Sequence, residues 1–207
     1  MLRFDPSDTA LLAIDLQRAF CAPEGSVAGQ GRDIGALERA AERSFELIAA
    51  ARNAGIRIIW TRMMYAPDYS DGGILVHQLR TGLKQIGALR SGTDDIELLP
   101  DADVRDDDII VDKNRYSAFI DTDLEQTLDE LGVRNLLVCG VTTSMCVETT
   151  IRDASQRDFM PYIIADACGE LDQSRHDAAL KVIEYGFGRV LSLGEATEAL
   201  QTTAAAE

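Results

Sequence analysis

A cysteine at the junction of a predicted strand and a predicted helix is the residue best placed for covalent chemistry. Residues 136–141 form a short, partly β-branched apolar run, which predicts a buried strand. Small hydroxyl residues at 142–144 are typical of turns and helix caps. Cys146 then lies in or near the first helical turn, where free N–H groups favour a thiolate and can hold an oxyanion. The pattern predicts a nucleophilic Cys146 with a lowered pKa.

Two charged residues occupy the same kind of position. Asp15 ends the first long apolar run of the chain, and Lys113 ends another. Because parallel strands end at one edge of a sheet, Asp15, Lys113 and Cys146 are predicted to lie at that edge and to meet if strand order permits. Each also has a plainer explanation: cysteines are often core residues, aspartates cap turns, and lysines end strands in solvent. Cys139 lies inside its predicted strand and is expected to be core.

Apolar runs alternate with segments of helical spacing along most of the chain. Strands are predicted near residues 10–15, 57–61, 108–113, 136–141, 162–166 and 189–193, and helices near 34–54, 122–131, after Cys146, 174–185 and 195–200. Thr122 and Glu125 match a capping box for the second of these helices. The alternation predicts an α/β fold with a parallel sheet covered by helices on both faces. Residues 62–105 are rich in the glycine and proline residues typical of turns, and one short helix is predicted near 74–83. A connection of this length within a compact domain is predicted to be a lid or a binding loop.

The whole chain has the size and composition of one α/β domain. Its 207 residues are 46% hydrophobic and show no repeat or linker, so residues 1–207 are predicted to form a single domain. The net charge of −15 argues against nucleic acid or an anionic membrane as a partner. No apolar run approaches the length of a transmembrane helix. The four cysteines form no CxxC or zinc pattern, which favours free thiols in a reducing, cytoplasmic setting.

Three motifs together resemble those of the isochorismatase-like cysteine hydrolases, in particular the branch of N-carbamoylsarcosine amidase and ureidoacrylate or biuret amidohydrolases. They read Ile14-Asp15-Leu-Gln17…Phe20, Lys113-Asn-Arg-Tyr-Ser117-Ala-Phe119 and Cys139-Gly-Val-Thr-Thr-Ser-Met-Cys146-Val-Glu-Thr-Thr-Ile-Arg152-Asp153-Ala154. The resemblance implies a three-layer α/β/α sandwich whose six parallel strands are ordered 3-2-1-4-5-6. It also implies a catalytic triad of Asp15, Lys113 and Cys146, a cis peptide between Val141 and Thr142, and an oxyanion hole formed by the N–H groups of Thr142 and Cys146.

The same resemblance implies an activity that needs no cofactor. Cys146 would attack a carbonyl carbon, Asp15 would move the proton, and Lys113 would favour the charged forms of both. The nitrogen would leave, and water would hydrolyse the thioester. The expected substrate is a small amide or ureide, such as an N-carbamoyl, biuret-like or ureidoacrylate-like compound. Because members of the family are commonly oligomers, a homodimer or homotetramer is expected.

Departures from the family patterns narrow this expectation. Nicotinamidase-like members carry an aspartate and two histidines as metal ligands after the second strand. At the corresponding residues, 62–65, this chain has Arg-Met-Met-Tyr. No catalytic metal is therefore expected. Isochorismatases that cleave vinyl ethers lack the cysteine that Cys146 supplies. The alternatives are vinyl ether hydrolysis, a catalytically silent binding domain, or a Cys-His hydrolase that uses His77 or His176.

Residues near the strand ends are candidates for contact with the substrate. The polar, aromatic and apolar candidates are Gln17, Phe20, Trp60, Tyr116, Phe119 and Val141. Arg62, Arg80 and Arg115 are candidates for binding a carboxylate on the substrate. The plainer alternatives are that aromatic residues near strand ends are core and that arginines are solvated.

Overall fold

Six parallel strands form one sheet in the computed structural model, which describes the backbone of residues 2–204 and the side chains of residues 2–201. The strands are β1 Thr9–Ile14, β2 Arg57–Met63, β3 Ile109–Lys113, β4 Asn135–Val141, β5 Met160–Gly169 and β6 Arg189–Leu191. Their order across the sheet is β3-β2-β1-β4-β5-β6, and every neighbouring pair is parallel. The predicted α/β class and the order 3-2-1-4-5-6 are therefore confirmed.

Helices cover both faces of this sheet. The α-helices of residues 2–204 are α1 Arg18–Cys21, α2 Ser26–Gly29, α3 Gly35–Asn53, α4 Gly82–Ile86, α5 Leu124–Glu130, α6 Glu148–Ser155, α7 Gln173–Gly186 and α8 Leu193–Ala204. Helices α3 and α8 pack on one face, and α5, α6 and α7 contribute to the core of the other. The central strand β1 is buried along its whole length, with alternate residues in the two cores, because a parallel sheet between helices has no solvent face.

Several predicted elements differ from those observed. β5 spans Met160–Gly169 rather than 162–166, β6 ends at Leu191 rather than at 193, and a π-helical turn and helix α4 replace the single short helix predicted near 74–83. β2 extends to Met63, two residues beyond the predicted end, because the strand continues to pair with β3. Helix α5 begins at Leu124, with Asp123 at its N-cap and no side-chain cap hydrogen bond. The predicted capping box is not formed: the Thr122 hydroxyl accepts from the N–H of Leu124 at 3.3 Å rather than from that of Glu125, and it donates to the carbonyl of Ala118 at 2.5 Å.

The long connection from β2 to β3 folds over the carboxyl edge of the sheet. It contains a π-helical turn at Leu75–Leu79, helix α4 and a 3₁₀ turn at Asp94–Ile96. Isolated bridges join Gln17 to Leu98 and Tyr65 to Arg90, so the connection is tied to the sheet edge. No helix among residues 2–204 is long and apolar enough to cross a membrane.

Candidate active site

Asp15 lies directly after β1 with its side chain fully buried. Its φ of 53° is in the left-handed region, which aspartate enters more readily than most residues. This turn is held by Thr61 of β2, whose carbonyl and hydroxyl oxygens both accept from the Asp15 N–H at 3.2 Å. The Thr61 hydroxyl in turn donates to Oδ1 of Asp15 at 2.5 Å. The carboxylate is therefore held in one orientation at the sheet edge.

Lys113, the last residue of β3, supplies the opposite charge and is also buried. Its Nζ donates to Oδ2 of Asp15 at 2.7 Å and to the Arg115 carbonyl at 3.3 Å, and it lies 3.5 Å from Met63 Sδ. Burial lowers the pKa of Lys113, whereas the nearby Asp15 and Cys146 raise it. The two neighbours outweigh burial, so the pKa of Lys113 is above its ordinary value. The ammonium group is therefore retained at neutral pH despite its burial.

Cys146 lies in a π-helical turn, Thr143–Val147, that joins β4 to α6. Only 4% of the residue is exposed. Burial raises the pKa of the Cys146 thiol, Lys113 lowers it and Asp15 raises it, with a net rise. The predicted lowering of this pKa is wrong, because burial outweighs the nearby positive charge. The thiol thus lies beside Asp15 and Lys113 with its pKa raised above the ordinary value.

The backbone beside this thiol has an unusual turn. The peptide bond between Val141 and Thr142 is cis, as the family resemblance implied. The Thr142 carbonyl then accepts from the N–H groups of Met145 and Val147, at 3.1 and 3.3 Å. Thr142 and Cys146, the residues expected to form an oxyanion hole, both line the same cavity.

A buried carboxylate holds the turn from its other side. Glu170, 6% exposed, accepts from the N–H and the hydroxyl of Ser144 at 3.0 and 2.6 Å. Arg175 of α7 donates to the other oxygen of Glu170 at 3.0 Å. The turn that carries Cys146 is thus attached to the segment that follows β5.

A cavity of about 300 Å³ opens above Cys146, which is at the small end of the usual size of ligand sites. Its walls come from α1, α2 and the loop after α2, the end of β2, the long β2–β3 connection, the loop after β3, the turn after β4, and the segment from the end of β5 to the start of α7. The lining residues are Phe20, Val27, Gln30, Arg32, Met63, Tyr65, Leu75, Arg80, Leu83, Leu89, Tyr116, Thr142, Met145, Cys146, Glu170, Leu171 and Arg175.

Residues 9–195 match the family profile of the isochorismatase domain. The chain belongs to the isochorismatase family. It is 32% identical over 212 residues to ureidoacrylate amidohydrolase RutB of Methylorubrum extorquens, across 96% of this chain and 85% of that protein. A solved structure of a cysteine hydrolase from Pseudomonas syringae pv. phaseolicola is similar with a TM-score of 0.88 and 29% identity, covering 98% of both chains. N-carbamoylsarcosine amidase from Thermoplasma acidophilum shares the fold, with a TM-score of 0.73 at 19% identity, over 90% of this chain and 96% of that one.

Two of the six candidate substrate contacts lie on the cavity wall of this isochorismatase-family protein. Phe20 and Tyr116 line it, as expected. Phe119 instead packs on Phe159, with ring centroids 5.9 Å apart, beneath the site. Val141 is fully buried in the core on the other side of the sheet. We therefore correct the assignment of Phe119 and Val141, which are core residues in this structure.

Gln17 and Trp60 also have structural partners away from the cavity. The Gln17 side-chain amide donates to the carbonyls of Met63 and Ile96, at 3.0 and 2.8 Å, and accepts from the Met63 N–H at 2.7 Å. Trp60 is fully buried, and its Nε1 donates to Asp108 at 2.9 Å. Gln17 thus ties the long connection to the sheet edge, and both residues are removed from the set of substrate contacts.

Of the three arginines expected to bind a carboxylate, only Arg80 lines the cavity. Arg62 forms a two-bond ion pair with Asp112 on the neighbouring strand, at 2.7 and 2.9 Å. Arg115 donates to the Asp71 carbonyl at 2.9 Å. Arg62 and Arg115 therefore hold the loop and the sheet edge rather than facing the cavity.

Several wall residues were missed by the sequence analysis. Arg32, Glu170 and Arg175 come from loops and a helix start that are distant in sequence from the three motifs, so no local spacing connects them to the site. Tyr65 could have been found, because side chains alternate along a strand and Met63 already faces this side of the sheet.

Neither histidine lies where it could serve the thiol. Nε2 of His77 is 3.0 Å from the Tyr69 carbonyl, and Nδ1 of His176 is 2.9 Å from the Thr143 hydroxyl. Burial lowers the pKa of His176. Neither residue lines the cavity above Cys146, which disfavours the Cys-His alternative.

Proposed function

We propose that this protein is a cysteine-dependent hydrolase that cleaves a C–N bond in a small amide or ureide bearing a carboxylate. One observation carries the proposal: Asp15 and Lys113, which are joined by a 2.7 Å hydrogen bond, act electrostatically on Cys146, and Cys146 lines the cavity. The name of the relative from Methylorubrum extorquens, an amidohydrolase, supports C–N cleavage. The name of the similar structure from Pseudomonas syringae, a cysteine hydrolase, supports the role of the thiol.

The proposed reaction begins with the neutral thiol. As the Cys146 sulfur attacks the carbonyl carbon, its proton moves to Asp15, which acts as the general base. Lys113 keeps its charge throughout and stabilises the negative charge that moves from the carboxylate to the sulfur and carbonyl oxygen. The N–H groups of Thr142 and Cys146 hold the oxyanion, and removing one such donor typically costs about 2.7–4 kcal/mol of barrier.

The second half of the reaction returns the enzyme to its first state. Asp15 gives its proton to the leaving nitrogen as the C–N bond breaks, which produces ammonia or an amine and a thioester on Cys146. Asp15 is then free to take a proton from water, which attacks the thioester carbonyl. The C–S bond breaks, the carboxylic acid leaves, and the thiol regains its proton. Overall, one water molecule is consumed for each C–N bond cleaved.

The charge of the cavity wall supports an anionic substrate. Among the described residues that line it, Arg32, Arg80 and Arg175 are cationic, and Glu170 is the one carboxylate. This excess of positive charge occurs in a chain whose net charge is −15. An arginine side chain binds a carboxylate with paired hydrogen bonds. The cavity therefore favours a small ureide or amide with a carboxylate, as in ureidoacrylate.

A screen of ammonia release tests this proposal. Purified protein is assayed with matched pairs of compounds, such as N-carbamoylglycine and N-carbamoylglycinamide, together with ureidoacrylate, maleamate and biuret. We expect turnover of at least one ureide or amide, with the carboxylate member of each pair preferred, and no turnover by Cys146→Ala. Absence of ammonia or amine release from every compound, with pyruvate formed from isochorismate, would contradict the proposal and support vinyl ether cleavage instead.

We also propose a cytoplasmic location and a small-molecule substrate as the only ligand class. The four cysteines are all free and buried, which fits a reducing compartment. The strongly negative net charge disfavours binding to nucleic acid or to anionic lipid. Fractionation of cells that express the protein at its natural level tests the location.

A further inference from the structure

Tyr65 lies just beyond β2 on the wall of the cavity, and its backbone is fixed. Its N–H donates to the Leu89 carbonyl at 2.8 Å, and its carbonyl accepts from the Ser91 N–H at 2.8 Å. Only 1% of the residue is exposed. The ring is therefore held in place by the long β2–β3 connection.

The hydroxyl of this tyrosine is unusual among the described residues. Within residues 2–201, Tyr65 Oη is buried and has no hydrogen-bond partner in the protein. The neighbouring Tyr69, whose ring centroid is 5.8 Å from that of Tyr65, donates its hydroxyl to the Ala88 carbonyl at 2.8 Å. A buried polar group without a partner is costly, and such groups in folded proteins usually have a reason.

The surroundings of the hydroxyl relate it to the catalytic centre. Tyr65 and Cys146 line the same cavity and belong to the same core cluster. Burial raises the pKa of Tyr65, and the nearby Tyr116 and Cys146 raise it further. The phenol therefore stays protonated at neutral pH, so it has a hydrogen to donate close to the thiol.

We propose that the Tyr65 hydroxyl binds the substrate by donating a hydrogen bond to an oxygen of its amide or ureide group. This inference rests on the proposed C–N hydrolysis. A substrate over Cys146 excludes water from this wall and offers the acceptor that the protein does not supply. The contact orients the scissile group for attack, and it is made by a residue outside the Asp15–Lys113–Cys146 triad.

Tyr65→Phe tests this role because it removes only the hydroxyl, and Tyr69→Phe is the matched control. We expect Tyr65→Phe to lower kcat/KM by about tenfold, the effect of losing one hydrogen bond, and to leave the melting temperature unchanged or higher. Tyr69→Phe should lower the melting temperature, because it loses the hydrogen bond to the Ala88 carbonyl. It should leave kcat/KM unchanged, because Tyr69 does not line the cavity. The rate is measured with the compound that wild-type protein hydrolyses fastest.

A second readout does not depend on turnover. Cys146 is alkylated with iodoacetamide, which carries an amide oxygen, and separately with allyl bromide, which alkylates the thiol at carbon and carries no oxygen. Mass spectrometry locates the adduct. The ratio of the two rates cancels any change in thiol reactivity. We expect this ratio to fall severalfold in Tyr65→Phe and to stay constant in Tyr69→Phe.

The two readouts separate failure of this inference from failure of the proposed function. If wild-type protein hydrolyses no amide or ureide, the proposed function fails, and the alkylation ratio alone decides the role of Tyr65. A Tyr65→Phe variant with wild-type kcat/KM, or with the wild-type alkylation ratio when no substrate is hydrolysed, would overturn the inference. A loss of melting temperature equal to that of Tyr69→Phe, without a kinetic effect, would assign the hydroxyl a structural role.

Discussion

At the scale of single residues, burial and two charged neighbours, Asp15 and Lys113, together set the pKa of the Cys146 thiol. Both oxygens of Asp15 accept hydrogen bonds, Oδ1 from Thr61 and Oδ2 from Lys113. The carboxylate is thus held by two donors next to a thiol whose own pKa is raised mainly by burial. In the proposed reaction, the nucleophile is generated by proton transfer during attack rather than stored as a thiolate. This differs from a thiol activated by a helix N-terminus alone.

Removing the charge of Lys113 should make the thiol still harder to ionise. Lys113 lowers the pKa of Cys146, so Lys113→Met should raise that pKa and move the pH–rate profile of alkylation to higher pH. Raising a thiol pKa by about one pH unit lowers the thiolate fraction near neutral pH by roughly tenfold. The measurement is the rate of iodoacetamide labelling of Cys146 across a range of pH.

Lys113→Arg is the control for this change, because it keeps the charge with a different shape and should restore the rate only in part. If Lys113→Met is labelled at the wild-type rate at every pH, the lysine does not tune the thiol. It would then have a structural role only.

The sequence was informative for the triad and less so for the cavity wall, for a physical reason. Asp15, Lys113 and Cys146 each follow an apolar run, so their place at one sheet edge follows from the fold class. Trp60 shows why proximity to a strand end is not enough. Alternation turns it to the opposite face from Met63, where it bonds to Asp108.

At the scale of elements, strand order explains why the positive charge at this site is carried by a side chain as long as that of lysine. β3 is separated from β1 by β2, so Lys113 must act across roughly 10 Å, two interstrand spacings. Its side chain passes Met63, its register partner in β2, before it reaches Asp15. Cys146 follows β4, which is the neighbour of β1 on the other side. The order 3-2-1-4-5-6 therefore brings the three groups together above the central strand.

A glycine permits the close approach of β1 and β4 next to Asp15. Gly140 has a φ of 115°, and a Cβ at this position would lie 2.0 Å from the Ile14 carbonyl oxygen. We expect Gly140→Ala to lower the free energy of unfolding by about 3 kcal/mol or more, through backbone strain and overpacking. Urea denaturation measures this change.

Gly186→Ala is the matched control, because a Cβ at this last residue of α7 would meet no atom within 4 Å. It should be neutral or stabilise by about 0.5–1 kcal/mol. Equal unfolding free energies for Gly140→Ala and wild-type protein would show that the two strands can separate without cost.

The cavity wall is formed largely by loops, whose positions cannot be predicted from the spacing of apolar residues in the sequence. Residues 75, 80, 83 and 89 line the cavity from the long β2–β3 connection, which the sequence identified only as a lid or binding loop. Its position depends on tertiary contacts, such as the hydrogen bond from the Gln17 amide to the Ile96 carbonyl and the bridge between Gln17 and Leu98. Such contacts join residues distant in sequence, so no local pattern predicts them.

At the scale of the whole molecule, the homodimer or homotetramer suggested by the family resemblance remains a prediction. Three large apolar residues of the β2–β3 connection, Ile74, Leu79 and Ile86, are 65%, 69% and 51% exposed in the single chain. Exposed apolar groups of this size are often covered by a partner. We expect light scattering to show an oligomer and Leu79→Glu to shift it towards the monomer. A fully active wild-type monomer would contradict this prediction.

Removal of metals should leave activity unchanged. Among the described residues, no three histidine, cysteine, aspartate or glutamate side chains are grouped so as to hold a metal ion. At the end of β2, near the position where the family resemblance implies metal ligands in nicotinamidase-like members, Arg62 pairs with Asp112; beyond the strand, Tyr65 is buried on the cavity wall. Exhaustive chelation followed by an ammonia-release assay checks the expectation. Activity that is lost on chelation and restored by stoichiometric zinc or iron would contradict it.

The central claim is that Cys146 forms a covalent thioester during C–N cleavage, and acid quenching during turnover tests it most directly. Intact-protein and peptide mass spectrometry of the quenched enzyme should show the acyl part of the substrate on Cys146, after loss of ammonia or the amine. Cys146→Ala should show neither the adduct nor product formation, although it stays folded. Turnover by Cys146→Ala at the wild-type rate, or an acyl group located on another residue, would contradict the account.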